Sequence, residues 1–392
     1  MKTPELLAPA GDFSKLKFAI KYGADAVYLG GQFGLRAGAA FSEDSNELEE
    51  AVSYAHSQGK KVYVTVNIFP RNGDFKQILL HIKHLQKLGV DAVIVSDLGV
   101  LRLVRENTDL EVHISTQANV INKFTAEEYV KLGAKRIILA RECSIGEIKE
   151  IADHLKNRCE IEIFVHGSMC MSYSGRCMIS NYMTNREANR GECSQPCRYK
   201  YALMEEKRPF EFWPVEEDIH GTYIMNSKEL CLIDHLDELT ACGVTSFKIE
   251  GRMKSEYYVA SVVKAYRLAL DGRKLNYKKE IDKIPHRPWT TGFVFEKGAH
   301  VFTEHSNQVS PYNVAAICLG GEKILQRNPF SVGDELEILS PGENHNKTFI
   351  VTSIKNERGE NVPRANKAAA PFSLETGNII LQSDEFLRKA DL

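Results

Sequence analysis

The stretch GADAVYLGG at residues 23–31 carries the clearest fold signal in the chain, because its opening recurs three times. GVDAV stands at 89–93, GAKRI at 133–137 and GVTSF at 243–247. In each copy a glycine ends a helical pattern and an apolar run begins at once. Glycine fits the left-handed conformation of a helix cap without steric cost. The repeat therefore predicts helices that alternate with strands.

Eight short apolar runs continue this alternation, and they lie at residues 5–11, 25–31, 61–69, 91–97, 111–117, 136–142, 160–168 and 246–252. Such runs are typical of parallel strands covered on both faces. The amphipathic segments between them predict helices. We therefore expect an eight-stranded, TIM-like βα-barrel over residues 1–275. A doubly wound open sheet is the alternative, but APAGDFS at 8–14 offers only one glycine after the first strand.

The spacing of the strands is interrupted once, between the seventh and the eighth. A single helix is predicted over KELCLIDHLDELTACG, residues 228–243, and it fills only part of the gap. The remainder, about residues 169–227, reads as an insertion at the C-terminal end of a strand. In a βα-barrel this is the face where active sites lie.

The chain changes character after residue 275. Short strand-like runs appear at 291–295, 313–319, 334–339, 348–354 and 378–382, separated by Gly, Pro and Asn. This pattern predicts a small all-β C-terminal domain over residues 276–392.

Composition and charge indicate a globular protein, with 392 residues, 43% hydrophobic residues, 26% charged residues and a net charge of −2. No apolar run reaches the ~18 residues of a membrane span, and the N-terminus lacks the pattern of a signal peptide. We therefore expect a cytoplasmic protein without a membrane partner, whose thiols stay reduced. The net charge gives no support to a surface coated in cations for nucleic acid.

Four of the nine cysteines lie in the insertion, as C-x6-C-x15-C-x3-C: Cys170, Cys177, Cys193 and Cys197. Their neighbours are mostly Gly, Ser, Arg, Asn and Pro, which leave little apolar surface to bury them. Thiolates hold Zn²⁺ or iron–sulfur clusters. The spacing lacks the paired C-x2-C knuckles usual for zinc and favours a cluster, with zinc as the alternative. A nucleophilic Cys–His pair that uses His166 would leave the other thiols unexplained.

The strand ends supply further candidates for the catalytic face. Lys248, Glu250 and Arg252 alternate along the eighth strand and so share one face, as a substrate site with acid/base or carboxylate-binding roles or as a charge network that holds the barrel together. The other candidates are His113 and His166 as catalytic or core histidines, and four residues for binding substrate: Arg36, Asn67, Gln117 and Arg141. The run Arg198-Tyr199-Lys200-Tyr201 could contact RNA or be a solvated loop.

Three segments resemble one known family. They are EIFVHGSMCMSYSGRCMIS at 162–180, LLAPAG at 6–11 and SFKIEGRMKS at 246–255, and they resemble the collagenase-like "U-type" (unassigned) peptidases. Several members hydroxylate RNA or quinones without molecular oxygen. The resemblance implies a [4Fe-4S] cluster on Cys170, Cys177, Cys193 and Cys197. It also implies a branch that converts the wobble uridine of tRNA to 5-hydroxyuridine with prephenate as hydroxyl source. Prephenate is a dianion, and Arg36, Arg141 and Arg252 are the arginines that could bind it.

Two other functions stay open at this stage. A collagenase-like peptidase is one, although the chain has no H-E-x-x-H and no G-x-S-x-G motif. A zinc-stapled RNA-binding module is the other. The sequence also leaves open whether a partner protein or a second copy of the chain is required.

Overall fold

The computed structural model of the chain describes residues 3–34, 41, 46–170, 172–198, 227–273, 276–296 and 311–390, and four two-residue strands within 203–222. Two bodies follow each other along this chain. The first is a barrel of parallel strands surrounded by helices, and the second is an antiparallel sheet. The prediction of a βα-barrel with an all-β C-terminal region is confirmed.

Eight parallel strands form the barrel: β1 (Glu5–Ala10), β2 (Ala26–Gly30), β3 (Lys61–Val66), β4 (Ala92–Val95), β5 (Glu111–Ile114), β6 (Arg136–Ile138), β7 (Glu160–Ser168) and β8 (Ser246–Ile249). Each strand pairs with the next, and β8 pairs with both β7 and β1. This second pairing closes the sheet and excludes the doubly wound alternative. Most strand residues are fully buried, as expected where side chains fill the lumen on one side and meet helices on the other.

Ten α-helices belong to the described residues: α1 (Phe13–Lys21), α2 (Glu47–Ser57), α3 (Phe75–Lys87), α4 (Leu98–Asn107), α5 (Lys123–Lys131), α6 (Ile145–Leu155), α7 (Ile179–Thr184), α8 (Leu236–Ala241), α9 (Glu256–Leu270) and α10 (Tyr277–Ile281). Several begin at the polar residue that the sequence offers as a cap. Asp12 caps α1, Ser255 caps α9, and Ser144 forms a capping box with Glu147 at α6. Local capping thus explains why these helices start where they do.

The single helix predicted over residues 228–243 is wrong. The segment forms a strand at Glu229–Cys231, a 3-10 turn at Ile233–His235 and then the short α8. Glu229–Cys231 pairs antiparallel with the end of β7, so its backbone groups bond across to Ser168 and His166 instead of along a helix. Cys231 therefore lies in a strand, because tertiary pairing outcompetes the local helical pattern.

The insertion after β7 begins as a compact, docked segment. It contains α7 and 3-10 turns at Ala188–Arg190 and Pro196–Arg198. Two small antiparallel ladders follow, Leu203–Met204 with Phe212–Trp213 and Glu217–Asp218 with Gly221–Thr222. The chain then returns to the barrel through the strand Glu229–Cys231.

The C-terminal sheet has seven antiparallel strands: Tyr312–Gly320, Lys323–Gln326, Glu335–Leu339, Thr348–Ile350, Ile354–Lys355, Pro371–Leu374 and Phe386–Ala390. A further pair joins Phe330–Ser331 to Arg364–Ala365. The strands predicted at 291–295 and 378–382 are wrong. The first contains a 3-10 turn, Gly292–Val294, and the second contributes only the bridge of Leu381 to Gly321. Trp289–Thr290, beyond the predicted boundary at 275, joins the sheet of the barrel through Glu229–Leu230.

Polar and aromatic contacts join the barrel to the C-terminal sheet. The hydroxyl of Tyr22 on α1 lies 2.8 Å from the carbonyl oxygen of Asp384. Arg388 in the last strand is fully buried and places Nη2 2.6 Å from Oε1 of Glu280 on α10. Phe386 packs against Phe18 and Tyr257 of the barrel helices. The C-terminal sheet is therefore anchored on the helices α1, α9 and α10.

Among the helices of the described residues, none has the length and apolar character needed to cross a membrane.

Candidate active site

A cavity of about 100 Å³ opens at the C-terminal ends of the barrel strands. Seven of the residues singled out in the sequence line it: Asn67, Gln117, Arg141, Cys170, Lys248, Glu250 and Arg252. They come from different strands and the loops after them, which is how TIM barrels assemble active sites. The closure of the barrel is what brings these positions together.

The alternating face of β8 and the chain after it supply three ionisable side chains to this cavity. Lys248 is buried, with Nζ 3.1 Å from Oε1 of Glu162 and 4.2 Å from the ring centre of Tyr28. Arg252 donates from Nη1 to the Thr65 hydroxyl at 3.3 Å. Glu250 accepts a hydrogen bond from the Tyr28 hydroxyl at 3.3 Å. The strand ends at Ile249, so Glu250 and Arg252 follow it instead of alternating along it as predicted, while Lys248 belongs to a buried ion network and also lines the cavity.

Arg141 follows β6 and completes the charge of the cavity. Its guanidinium lies 4.0 Å from the ring centre of Phe164, and Nη2 is 3.8 Å from Oε2 of Glu250. Among the described lining residues, three cations face one carboxylate. Such an excess of positive charge in a recess attracts an anionic ligand.

Burial and neighbouring charges shift the pKa values of Lys248 and of its partner Glu162. Burial lowers the pKa of Lys248, and the charges of Glu162 and Glu250 only partly oppose this shift. Burial alone would raise the pKa of Glu162, but Lys248 and Arg136 outweigh it, so its pKa is lowered and the carboxylate stays ionised. A lysine with a lowered pKa can take up a proton nearer to neutral pH than an exposed one.

Asn67 and Gln117 occupy the polar side of the wall. Asn67 donates from Nδ2 to the Ser115 hydroxyl at 3.1 Å. The prediction that Gln117 lies in a strand is wrong, because β5 ends at Ile114 and a 3-10 turn, Thr116–Ala118, follows. The turn still brings Gln117 to the cavity.

His113 lies deeper in the barrel and is not among the described lining residues. Its ring centre is 4.7 Å from that of Tyr63, and burial lowers its pKa. Nearby, Arg136 bridges Glu5 and Glu162 with Nη1 at 2.6 and 3.0 Å. The structure therefore places His113 beside a buried charge network and not at the cavity.

His166 points away from the cavity, contrary to expectation. It is fully buried, with its ring centre 5.1 Å from Trp289 and 5.5 Å from Tyr266. The cause is a bulge in β7: Lys248 pairs with Phe164, but Ile249 pairs with His166, so β7 carries one extra residue. Burial lowers the pKa of His166 to about 3, and the ring is neutral.

Cys170 and residues 172–198 of the insertion form the cysteine segment, which contacts the loops at the rim of the cavity. The Ser174 amide donates to Oε1 of Glu142 at 2.9 Å, and Asn119 donates to the Ser174 carbonyl at 3.1 Å. Gly175 has φ +73° and lies so close to Gln117 that a Cβ would stand 2.0 Å from its carbonyl oxygen. Farther along, Arg190 pairs with Asp74 at 2.7 Å.

The four cysteines fit a thiolate-bound group by their chemistry. Cys170 is exposed and lines the cavity, while Cys177, Cys193 and Cys197 are half-buried. All nine cysteines lie in the described part of the chain, and the structure records no disulfide among them. Within that same part, no group of three or more His, Cys, Asp or Glu side chains is placed to hold a metal ion. The residue types therefore suit a cluster or zinc, but their sulfur atoms do not converge here.

Two sets of candidates cannot be located. Arg36 lies outside the described residues, as do Tyr199, Lys200 and Tyr201; of Arg198 only the backbone is described.

Sequence reasoning missed three residues that organise the cavity: Tyr28, Glu162 and Phe164. Each faces the charged groups of β8 across the lumen. Glu162 could have been found, because a carboxylate in the middle of the apolar run EIEIF requires a buried cation nearby.

The fold and the cavity define a TIM barrel with an excess of cationic side chains among the described lining residues at its C-terminal strand ends, next to a thiol-rich segment. The chain belongs to peptidase family U32. The profile of that family matches residues 11–302, and the profile of its C-terminal domain matches residues 314–388. The family resemblance seen in the sequence is confirmed.

Several relatives match over most of the chain. The "tRNA hydroxylation protein P" of Escherichia coli (strain K12) is 37% identical over 93% of this chain and 92% of its own length. An "Uncharacterized protease" of Methanocaldococcus jannaschii is 44% identical over 74% of this chain and 73% of its own. A 23S rRNA 5-hydroxycytidine synthase of Escherichia coli is 38% identical over 68% of this chain and 39% of its own.

Proposed function

We propose that this protein is an RNA-modifying enzyme that hydroxylates the wobble uridine of tRNA at C5, with prephenate as the hydroxyl donor. Relatives named for tRNA hydroxylation and for 5-hydroxycytidine synthesis support the RNA part of this proposal. The reaction would take place in the cytoplasm, where tRNA is found and thiols stay reduced.

The single observation that carries the choice of co-substrate is the cationic cavity. Lys248, Arg141 and Arg252 converge on it from two different strand ends, with Glu250 as the one described carboxylate among the lining residues. A small dicarboxylate needs two cationic contacts, and planar guanidinium groups bind carboxylates through paired hydrogen bonds. Arg141 and Arg252 are the groups we assign to the two carboxylates of prephenate.

Lys248 is the residue that we assign to proton transfer. Its lowered pKa and its position in the cavity suit a group that accepts the proton lost from C5 of the base. Glu250, held by the Tyr28 hydroxyl and near Arg141, would orient that arginine instead of titrating itself. Glu162, with Oε1 3.1 Å from Nζ, holds the side-chain nitrogen of Lys248 in place.

Cys170, Cys177, Cys193 and Cys197 are the residues that would hold a [4Fe-4S] cluster. Such a cluster would supply redox or Lewis-acid chemistry beside the cavity. Cys170 already lines the cavity, so a group bound there would face the substrate.

The decisive experiment measures 5-hydroxyuridine in tRNA by mass spectrometry, in a host strain that lacks its own tRNA hydroxylation protein. The wild-type gene should restore the nucleoside, and Lys248→Met should not. A Lys123→Met variant, at a half-buried lysine that pairs with Glu150 and is not among the described lining residues of the cavity, is the control and should restore it fully. If wild-type protein leaves tRNA unmodified, the proposal is wrong. Repeating the assay in a strain that cannot make prephenate tests the co-substrate.

Metal analysis of anaerobically purified protein tests the cofactor. About four irons and four sulfides per chain, lost in Cys193→Ala, would support the cluster. Zinc without sulfide would support the alternative of a zinc-stapled RNA-binding module.

A peptidase is the second candidate, favoured by the name of the family and of one relative. The cavity offers a thiol, Cys170, but no histidine is among its described lining residues. Cysteine peptidases need a base within reach of the thiol. Hydrolysis of denatured collagen by wild-type protein but not by Cys170→Ala would favour this alternative.

A further inference from the structure

The cysteine segment exposes apolar side chains that a folded protein normally buries. Tyr173 is 62% exposed, Met178 51%, Tyr182 83% and Met183 51%. A contiguous group of large exposed apolar side chains marks an interaction surface.

Helix α7 shows that this exposure is built into the fold. Ser180 is fully buried, and its hydroxyl lies 3.1 Å from that of Ser194, which lies 2.8 Å from that of Thr184. Tyr182 and Met183, on the same helix, face solvent. A surface helix ordinarily does the reverse, with polar residues outside and apolar residues inside. The helix is thus held by its polar side, while the ring of Tyr182 on its other side is exposed.

The exposed residues lie beside the mouth of the cavity. Tyr173 directly precedes Ser174, which is bonded to Glu142, the neighbour of the cavity-lining Arg141. Gly175 packs against Gln117, another lining residue. These contacts place Tyr173 next to the rim of the cavity.

The charges of the segment favour a nucleic acid over a protein as the ligand. Arg176 and Arg186 are exposed next to the two tyrosines. Glu187 is occupied by Arg71 and Arg190, which leaves Glu192 as the exposed acid among the described residues of the segment. Aromatic rings interleaved with arginines bind unpaired bases by stacking and the phosphates between them by charge.

We propose that Tyr173 and Tyr182 form a stacking platform for the unpaired bases that flank the reacting base, with Arg176 and Arg186 on their phosphates. This proposal rests on the proposed function for its RNA substrate, and it adds the surface that recognises that RNA. It differs from the predicted contact at residues 198–201, which lies farther along the chain.

The test is binding of a fluorescent RNA stem–loop to anaerobically purified full-length protein. Tyr182→Ala and Tyr173→Ala should each raise the dissociation constant roughly tenfold, because the stacking contact with one base is lost. Tyr182→Phe should bind as wild type does, since it keeps the ring. Leu80→Ala is the matched control, at a side chain 64% exposed on α3. A blunt duplex without unpaired bases should be insensitive to the tyrosine substitutions.

The salt dependence of binding tests the arginines separately. Arg186→Gln should reduce the slope of log Kd against log salt by about 0.7, the value for one phosphate contact to a single strand. Arg358→Gln, at an exposed arginine of the C-terminal sheet, should leave the slope unchanged.

The outcomes separate this proposal from the proposed function. Iron and sulfide are measured for every variant, so that a lost metal is not mistaken for a lost contact. Wild-type binding in both tyrosine variants would overturn the platform, while restored 5-hydroxyuridine would leave the function standing. Affinity purification gives a second check. If the tyrosine variants bind RNA as wild type does but no longer co-purify with a protein that wild type binds, the surface is a protein-binding site and the platform is overturned. If wild type neither binds the stem–loop nor modifies tRNA, both proposals fall.

Discussion

At the scale of single residues, the cavity depends on side chains whose ionisation is shifted by burial. Lys248 pairs with the buried carboxylate of Glu162 and also lines the cavity. His166 illustrates the opposite case, a titratable residue that is buried without a role at the cavity. The two residues lead to different predictions, one for activity and one for stability.

Replacing Lys248 by Arg should lower hydroxylation by a factor of about 100 or more, because arginine keeps the charge but cannot accept a proton. In the wild type the rate should rise with pH and level off above the pKa of Lys248. Since burial lowers that pKa, the plateau should begin below the ordinary value of about 10.4. Single-turnover rates across pH check this, with Lys123→Arg as control. A rate independent of pH would contradict the assignment.

His166 should make the protein sensitive to acid. Its pKa is about 3 in the folded state, against roughly 6.5 when unfolded, so the unfolded chain binds the proton more readily. Stability is therefore complete above about pH 6.5 and is lost as the pH falls toward 3, by an amount on the order of 4 kcal/mol. His166→Phe, which fills the same aromatic pocket, should remove this part of the loss. Urea unfolding at several pH values measures the free energy of unfolding of both proteins. If that free energy depends on pH equally in the wild type and the variant, His166 does not cause the loss.

At the scale of elements, the strands and helices follow from local patterns, while the position of the cysteine segment depends on a few contacts with the strand ends. The helices begin at their polar caps, and the strands coincide with the apolar runs. The docking of the segment instead depends on Gly175, Ser174 and Arg190, which meet loops after three different strands. These contacts hold the cysteine segment at the rim of the cavity, while Cys170 lies two residues beyond the end of β7 at Ser168.

Gly175→Ala should loosen the segment without unfolding the barrel. The substitution places a Cβ in the left-handed region and against the Gln117 carbonyl oxygen. We expect faster proteolysis within residues 172–198, a loss of hydroxylation and little change in the melting temperature. Gly146→Ala, where a Cβ meets nothing within 4 Å inside α6, is the control and should be neutral or slightly stabilising. Unchanged proteolysis in Gly175→Ala would mean that the segment is held elsewhere.

At the scale of the whole molecule, the C-terminal sheet is joined to the barrel by a buried charge network. Arg388 meets Glu280 of α10 and Glu337 of its own sheet, and Lys283 also contacts Glu280 at 3.0 Å. Burial opposes ionisation of Glu280, but Arg388 and Lys283 lower its pKa to about 2. A network of this kind costs stability when one partner is removed.

Arg388→Met should destabilise the protein by about 3–5 kcal/mol, because Glu280 and Glu337 lose one of the two cations that they share and keep only Lys283. The contribution of Glu280 is present above roughly pH 4.5 and is lost as the pH falls toward 2, so the variant and the wild type should converge in acid. Thermal unfolding at pH 7 and at pH 3 measures both effects. Arg358→Met, on the exposed surface, is the control. A constant difference between the two proteins at all pH values would contradict the linkage.

The sequence by itself determined the order of strands and helices, the closed barrel, the β-rich C-terminal region and the position of Lys248 on β8. It could do so because periodicity and capping act within a few residues. Only the tertiary structure decided that His166 points outward, that residues 229–231 form a strand, that Glu162 holds Lys248 and that α7 exposes its tyrosine. Each of these depends on a partner far away in the chain, and no local pattern contains that partner.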